Sequence, residues 1–170
     1  MRLYEPSVLD QIVLAIIGEI PRHGFAVSKE LETDPSLSAV IRARRPLVYR
    51  SINSLVDAKL IRETKTEPGD QGSPRVIYAA TATGKSTTTK WLNDTVNHPR
   101  DARIELLAKF VLRNRRNLTN QQLAKRQKKL FENQAAKLQV SANLATDDVR
   151  LVSLWRVENI NAMIRLLEAV

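Results

Sequence analysis

Residues 46–61, PLVYRSINSLVDAKLI, are the segment on which the fold assignment depends. Pro46 suits the first turn of a helix, where its missing N–H is not needed. One apolar stripe recurs at helical spacing: Val48, Ile52, Leu55 and Val56. Strand-forming residues begin at Ile61, so the segment predicts a helix that buries one face and leads directly into a β-strand.

Two helices are predicted upstream of this segment. Apolar residues recur at helical spacing from Ser7 to Ile20, with Ser7 as a possible N-cap and Pro21 ending the run. After a turn at residues 21–24, residues 25–32 (Phe25 to Glu32) are predicted to form a short second helix. A polar connection then follows around residues 34–36, Asp-Pro-Ser.

Two strands and a further helix are predicted downstream. The strands are residues 61–67 and 75–80, and a Gly/Pro-rich turn at residues 68–74 joins them. A fourth helix is predicted from Thr83 to about Val96. Three helices followed by a hairpin predict a mainly α chain that begins with a winged helix-turn-helix.

The rest of the chain is predicted to be entirely helical. Asn97-His98-Pro99 interrupts the pattern, which divides the chain into residues 1–97 and 98–170. The first two segments carry Ile104, Leu107, Phe110 and Val111, then Ala124, Phe131, Leu138 and Ala145 with Ala135 and Ala142 between them. The last segment has two stripes: Val149, Val157, Ile160, Ile164 and Leu167, and Val152, Trp155, Met163 and Leu166. A helix that is apolar on two sides favours a second subunit, so residues 98–170 are predicted to be a dimerisation domain, with contact to the chain's own N-terminal domain as the alternative.

The composition favours a cytoplasmic protein with an anionic partner. The chain has 170 residues, 43% of them hydrophobic, and a formal net charge of +9, which attracts nucleic acid but also suits other basic proteins. It has no cysteine and only two distant histidines, His23 and His98, so we expect no metal, cofactor or disulfide. No apolar run is long enough to span a bilayer, and no Ser/His/Asp group or carboxylate pair indicates catalysis.

Basic and polar residues around the segment 46–61 are candidate DNA contacts. Arg42, Arg44 and Arg45 lie at its start, where cations oppose the helix dipole, so an external anion would explain them better than a solvated turn. Tyr49, Arg50 and Asn53 lie on the face away from the apolar stripe. Lys65 and Arg75 flank the hairpin turn and could contact phosphates or form an ordinary hairpin surface. The predicted partner is double-stranded DNA.

The tripeptide Gly84-Lys85-Ser86 suggests a second function class, a nucleotide-binding enzyme. A phosphate-binding loop also needs a glycine five positions before Gly84, where this chain has Ala79. We therefore interpret the tripeptide as the start of the fourth helix. A third class is a protein-interaction adaptor whose winged helix does not bind DNA.

A basic segment and two tryptophans leave alternatives open. The basic segment contains Arg113, Arg115, Arg116, Lys125, Arg126, Lys128 and Lys129. It is interpreted first as a solvated helix face, with an accessory contact to DNA or to an acidic protein as the alternative. Trp91 and Trp155 are expected to be core residues, with a ligand-binding role as the alternative.

The order of these segments resembles the PadR-type transcriptional regulators. The resemblance rests on residues 9–32 (LDQIVLAIIGEIPRHGFAVSKELE), 46–61 and 75–92 (RVIYAATATGKSTTTKWL), and residues 101–114 (DARIELLAKFVLRN) resemble the start of the helical C-terminal domain of longer members. It implies a homodimer, usually a repressor, that binds an inverted repeat and is released by a small molecule. In that family the effector binds where the two domains meet, which suggests Trp91 and Trp155 here as contacts for a flat aromatic ligand.

The chain departs from the family pattern at the start, middle and end of the helix in residues 46–61. Arg44-Arg45-Pro46 replaces a small polar opening, Arg50 replaces a common proline, and Lys59 replaces a common glycine. These changes leave the fold in place but make the DNA sequence that is bound unpredictable.

Overall fold

The computed structural model describes residues 4–68 and 74–170. Most of the turn predicted at residues 68–74 therefore lies outside the described residues. The chain forms two compact units, Met1–Asn93 and Asp94–Val170. Among the described residues, no helix combines the length and apolar character that crossing a bilayer requires.

The first unit is a winged helix. Its elements in chain order are α1 (Val8–Glu19), β1 (Arg22–His23), α2 (Gly24–Thr33), α3 (Pro35–Val40), α4 (Arg45–Asp57), β2 (Ile61–Glu67), β3 (Arg75–Ala80) and α5 (Ala82–Asn93). The strands form an antiparallel sheet in the order β1-β3-β2. The predicted bounds of β2 and β3 are confirmed, and those of α1 and α2 are confirmed to within one residue.

Two stretches predicted as irregular are regular instead. Residues 21–24 are not only a turn, because Arg22 and His23 form β1 and pair with Tyr78 and Ile77 of β3. Residues 34–36 are not a simple connection, because they start α3. The Asp34 carboxylate accepts hydrogen bonds from the Ser36 and Leu37 N–H groups, both at 2.9 Å, and Pro35 occupies the first turn.

Helix α1 is the centre of the first unit, since every residue from Asp10 to Ile17 is buried. Ser7 caps it as predicted: Asp10 N–H donates to Ser7 Oγ at 3.2 Å, and Ser7 N–H donates to Asp10 Oδ2 at 2.9 Å. Burial alone would raise the pKa of Asp10, but hydrogen bonds from Ser51 and Ser7 outweigh it and hold the pKa below its ordinary value. The Asp10 carboxylate thus ties α1 to α4.

A single threonine fixes the start of α5. Thr81 Oγ1 accepts a hydrogen bond from Gly84 N–H at 3.0 Å, while Thr81 N–H donates to Leu60 O at 2.9 Å. The helix therefore begins one residue earlier than predicted and ends at Asn93 rather than near Val96. Lys59, at the end of α4, has φ 59°, the left-handed conformation that usually favours glycine at this position.

The second unit is helical throughout. Its elements are α6 (Pro99–Asp101), a single π-helical turn (Ala102–Leu106), α7 (Leu107–Asn114), α8 (Gln121–Leu144) and α9 (Asp147–Glu168). Its core contains Val96, Ala102, Leu106, Phe110, Leu123, Ala124, Phe131, Ile160 and Leu167. Five members of the predicted apolar stripes are exposed instead: Ile104, Val149, Val152, Trp155 and Leu166. The π turn, in which Leu107 N–H donates to Ala102 O, changes the helical register and places Leu106 in the core.

Buried polar side chains hold the entry segment of the second unit. The Gln127 side-chain amide bonds both backbone groups of Val96, accepting from its N–H at 2.7 Å and donating to its carbonyl at 2.9 Å. Lys109 Nζ is 2.9 Å from Asp94 O and 2.7 Å from Glu105 Oε1. Arg113 is also buried, donating to Thr119 O at 2.6 Å, so this member of the basic segment is not part of a solvated face.

Candidate nucleic-acid interface

Helix α4 has one buried face and one exposed face. Val48, Ile52 and Leu55 are fully buried, which confirms the predicted stripe, although Val56 is only half-buried. The exposed side chains include all four predicted DNA contacts on this helix: Arg45, Tyr49, Arg50 and Asn53. The helix therefore presents guanidinium, phenol and amide groups to solvent over three turns.

The start of α4 is surrounded by guanidinium groups but has few backbone N–H groups left for a ligand, because Pro46 has none and Leu47 N–H donates to Arg44 O at 2.9 Å. Arg44 is the N-cap residue and provides no side-chain hydrogen bond to the first turn. Arg42, Arg44 and Arg45 line an open depression of about 760 Å³ together with Glu32. Three arginine charges against one carboxylate favour an anion in this depression.

Arg45 also has a partner within the unit. Its guanidinium carbon lies 4.7 Å from the ring centroid of Phe25, and the Phe25 ring stacks on His23 at 6.2 Å. A cation over an aromatic face is stabilised by the ring quadrupole. The contact with Phe25 therefore explains the position of Arg45 without any ligand, and it places this guanidinium beside the start of α2.

Tyr49 packs where α2 and α4 approach each other. A Cβ atom on Gly24 would lie 2.8 Å from Tyr49 Cε1 and 2.9 Å from Ile52 Cδ1, so glycine permits this close contact. The pKa of Tyr78 on β3 is raised by burial and by the nearby Glu63 and Tyr49. Tyr49 thus lies between α2 and the sheet, with its ring partly exposed.

The two predicted wing cations lie on the paired strands. Lys65 is exposed on β2, and its Nζ is 2.6 Å from Glu67 Oε1. A hydrogen bond from Lys65, aided by the Lys65 charge and the nearby Arg75, lowers the pKa of Glu67. Arg75 pairs opposite Glu67 on β3. Lys65 would have to exchange Glu67 for a phosphate to contact DNA.

Leu47 is an exposed residue on this surface that the sequence reasoning missed. It lies in the first turn of α4 and remains 47% exposed. The exposure of Leu47 could have been predicted from the sequence, because this residue falls outside the predicted apolar stripe of the helix. An apolar side chain at this place can contact a thymine methyl group.

The two candidate effector residues lie in separate units and differ in exposure. Trp91 on α5 is 8% exposed, so its predicted burial is confirmed. Trp155 on α9 is 65% exposed, so its predicted burial is wrong in the single chain. An exposed indole in the middle of a helix indicates a surface that binds something.

Comparison with known proteins finds a family to which the first unit is similar. Residues 13–90 match the model of the transcriptional regulator PadR-like family. Among solved structures, Bacillus subtilis PadR in complex with operator DNA has 18% identity and a TM-score of 0.51, covering 96% of both chains. The PadR-like regulator BC1756 of Bacillus cereus has 14% identity and a TM-score of 0.43, covering 99% of this chain and 97% of that one.

The solved structure with the higher score supports the winged-helix fold followed by a helical C-terminal region. Comparison with curated proteins gave no match. The winged-helix fold of the first unit agrees with the match of residues 13–90 to the PadR-like family of transcriptional regulators.

Proposed function

We propose that the chain is a sequence-specific DNA-binding regulator in which α4 enters the major groove and the β2–β3 hairpin contacts the flanking backbone. The observation that carries this proposal is the exposed polar face of α4 within a winged helix. Arg50 and Asn53 contact base edges, since guanidinium and amide groups form bidentate pairs with guanine and adenine. The phosphate contacts are Arg42, Arg44, Arg45, Tyr49, Lys65 and Arg75. The similar Bacillus subtilis PadR structure is a complex with operator DNA, which agrees with this assignment.

We further propose a homodimer that binds an inverted repeat, with residues 1–97 as the DNA-binding domain and 98–170 as the dimerisation domain. The face of α9 opposite the core exposes Leu151, Val152, Trp155 and Leu166. Apolar residues that are contiguous on a helix face favour a partner, and a two-fold dimer presents two copies of α4 to two half-sites. Binding as a dimer at a promoter would repress transcription by excluding the polymerase.

Release by a small aromatic effector completes the proposal, and its main contact is Trp155, for which the effector would compete with the dimer partner, so that the two copies of α4 separate. The exposed Trp155 indole offers a stacking surface, whereas buried Trp91 offers little. Compounds that release DNA should quench tryptophan fluorescence, because these are the two tryptophans of the chain. The quenching should disappear in Trp155→Phe and persist in Trp91→Phe. If a compound releases DNA without changing the tryptophan fluorescence of the wild type or of either variant, the effector binds elsewhere.

Replacing Arg50 or Asn53 by alanine is expected to weaken binding to genomic fragments selected by the wild-type protein by about 1–3 kcal/mol each. Both side chains are exposed, so the unfolding transition should not change. Fluorescence anisotropy with selected and random duplexes measures the loss. Lys85→Ala removes an exposed charge from α5 and serves as the control for Arg50→Ala. Unchanged affinity in both α4 variants would exclude α4 as the recognition helix.

A further inference from the structure

The exposed side of α8 carries a line of cations. Lys125, Arg126, Lys129 and Lys137 are all exposed, and at 100° per residue they fall within one third of the helix circumference. They span about 18 Å along the helix, at 1.5 Å per residue. We call these four residues the basic face. The polar residues Gln122 and Asn133 lie between them and are also exposed.

The lysines of the basic face form no ion pair within the part of the chain that the structure describes. Glu132 is the acidic residue of α8, and its Oε1 lies 3.6 Å from the Nζ of a different lysine, Lys128, which also pairs with Glu168 at 2.9 Å. The positive charge of Arg126 adds to burial in lowering the pKa of Arg113. Arg126 therefore lies close enough to Arg113 for the two positive charges to interact.

This arrangement is unfavourable for the isolated helix. Lys125 and Lys129 are one turn apart, and like charges at this spacing destabilise a helix. The excess charge is concentrated in this half of the chain: residues 98–170 have 14 basic and 7 acidic residues, against 13 and 11 in residues 1–97. A uniform requirement for solubility would not place cations in one row, whereas an anionic partner would.

The chemistry of the row favours a nucleic-acid backbone over an acidic protein. Protein interfaces depend on apolar or aromatic anchors at their centre. Between Lys125 and Lys137 the basic face has cations, amides and only the small Ala136, and the larger exposed apolar residues of this sector, Val140 and Leu144, lie beyond its C-terminal end. A phosphate backbone requires only charge and hydrogen-bond donors, repeated along a line. We propose that the basic face binds the phosphate backbone of double-stranded DNA as a second, sequence-independent contact. This proposal rests on the proposed function, since it needs a duplex already held by the first unit.

The salt dependence of binding tests the proposal in the full chain. For wild type and Lys125→Gln/Lys129→Gln, the dissociation constant is measured against salt on a selected duplex and on a random-sequence duplex. We expect the slope of log K against log salt to fall by about 0.9 for each phosphate that is no longer neutralised, equally on both duplexes. The preference for the selected duplex should not change. Arg100→Gln/Arg165→Gln removes the same charge from exposed sites outside the basic face and should leave the slope unchanged.

Three outcomes would overturn the proposal. One is an unchanged slope in Lys125→Gln/Lys129→Gln, and another is an equal fall in the control, which would indicate a general effect of net charge. The third is a change in the sedimentation of this variant without a change in its salt slope, which would assign the basic face to contacts between protein chains. Failure of the proposed function looks different, because the wild type would then not prefer any selected duplex over random DNA.

Discussion

Gly84→Ala is expected to lower the free energy of unfolding by about 3 kcal/mol, the upper end of the usual cost of overpacking. A Cβ atom at this position would lie 2.0 Å from Leu60 O and 3.2 Å from Leu14 Cδ1. The carbonyl cannot move away, because it accepts the hydrogen bond from Thr81 N–H that joins α5 to the end of α4. The substitution must therefore separate two backbone segments.

Urea denaturation followed by circular dichroism measures this effect. Gly24→Ala is the matched control, since its new Cβ would meet the side chains of Tyr49 and Ile52, which can rotate. We expect about 1 kcal/mol of destabilisation there, and weaker DNA binding because the Tyr49 ring is displaced. Alanine is ordinarily the better helix former by about 1 kcal/mol. If Gly84→Ala gained stability by that amount, the close approach of residue 84 to the Leu60 carbonyl would be contradicted.

The strands and the amphipathic helices could be predicted because their signals are local. Strand propensity and turn residues defined residues 61–67 and 75–80 in full, and helical periodicity identified α1, α2 and α4. The strand β1 could not be found this way, because two residues have no period and their partners on β3 lie more than fifty positions away. Helix α3 did have local signals, an Asp N-cap followed by Pro35, which were interpreted as a loop.

The candidate site was predictable in its location but not in its contacts. The stripe of α4 fixed which side chains are exposed, so Arg50 and Asn53 were correctly placed on the outer face. The pairing of Arg45 with Phe25 and the burial of Arg113 depend on tertiary packing. The pairing of Lys65 with Glu67 is local, because residues two apart on a strand share one face, and the sequence reasoning missed it. Charge in a sequence therefore indicates a basic surface, and only the fold separates a structural arginine from one available to a ligand.

Leu151→Glu/Trp155→Glu is expected to convert a dimer into a monomer and to weaken binding to a two-half-site duplex by roughly 100-fold or more. Leu151 is 70% exposed and Trp155 is 65% exposed, one helical turn apart on α9. The opposite face of the helix, which includes Val157 and Ile160, is buried in the core of the unit. The two glutamates should therefore leave the fold of the single chain unchanged while placing charges inside the dimer interface.

Sedimentation gives the oligomeric state, and binding to one and to two half-sites separates dimerisation from DNA contact. Each α4 remains intact in the variant, so affinity for a single half-site should stay at the wild-type value while the gain from the second half-site disappears. Leu118→Glu introduces one glutamate at an exposed leucine outside α9 and should remain dimeric. A wild-type chain that sediments as a monomer at micromolar concentration would refute the dimer. A variant that loses half-site affinity as well would show that α9 acts through the DNA-binding unit instead.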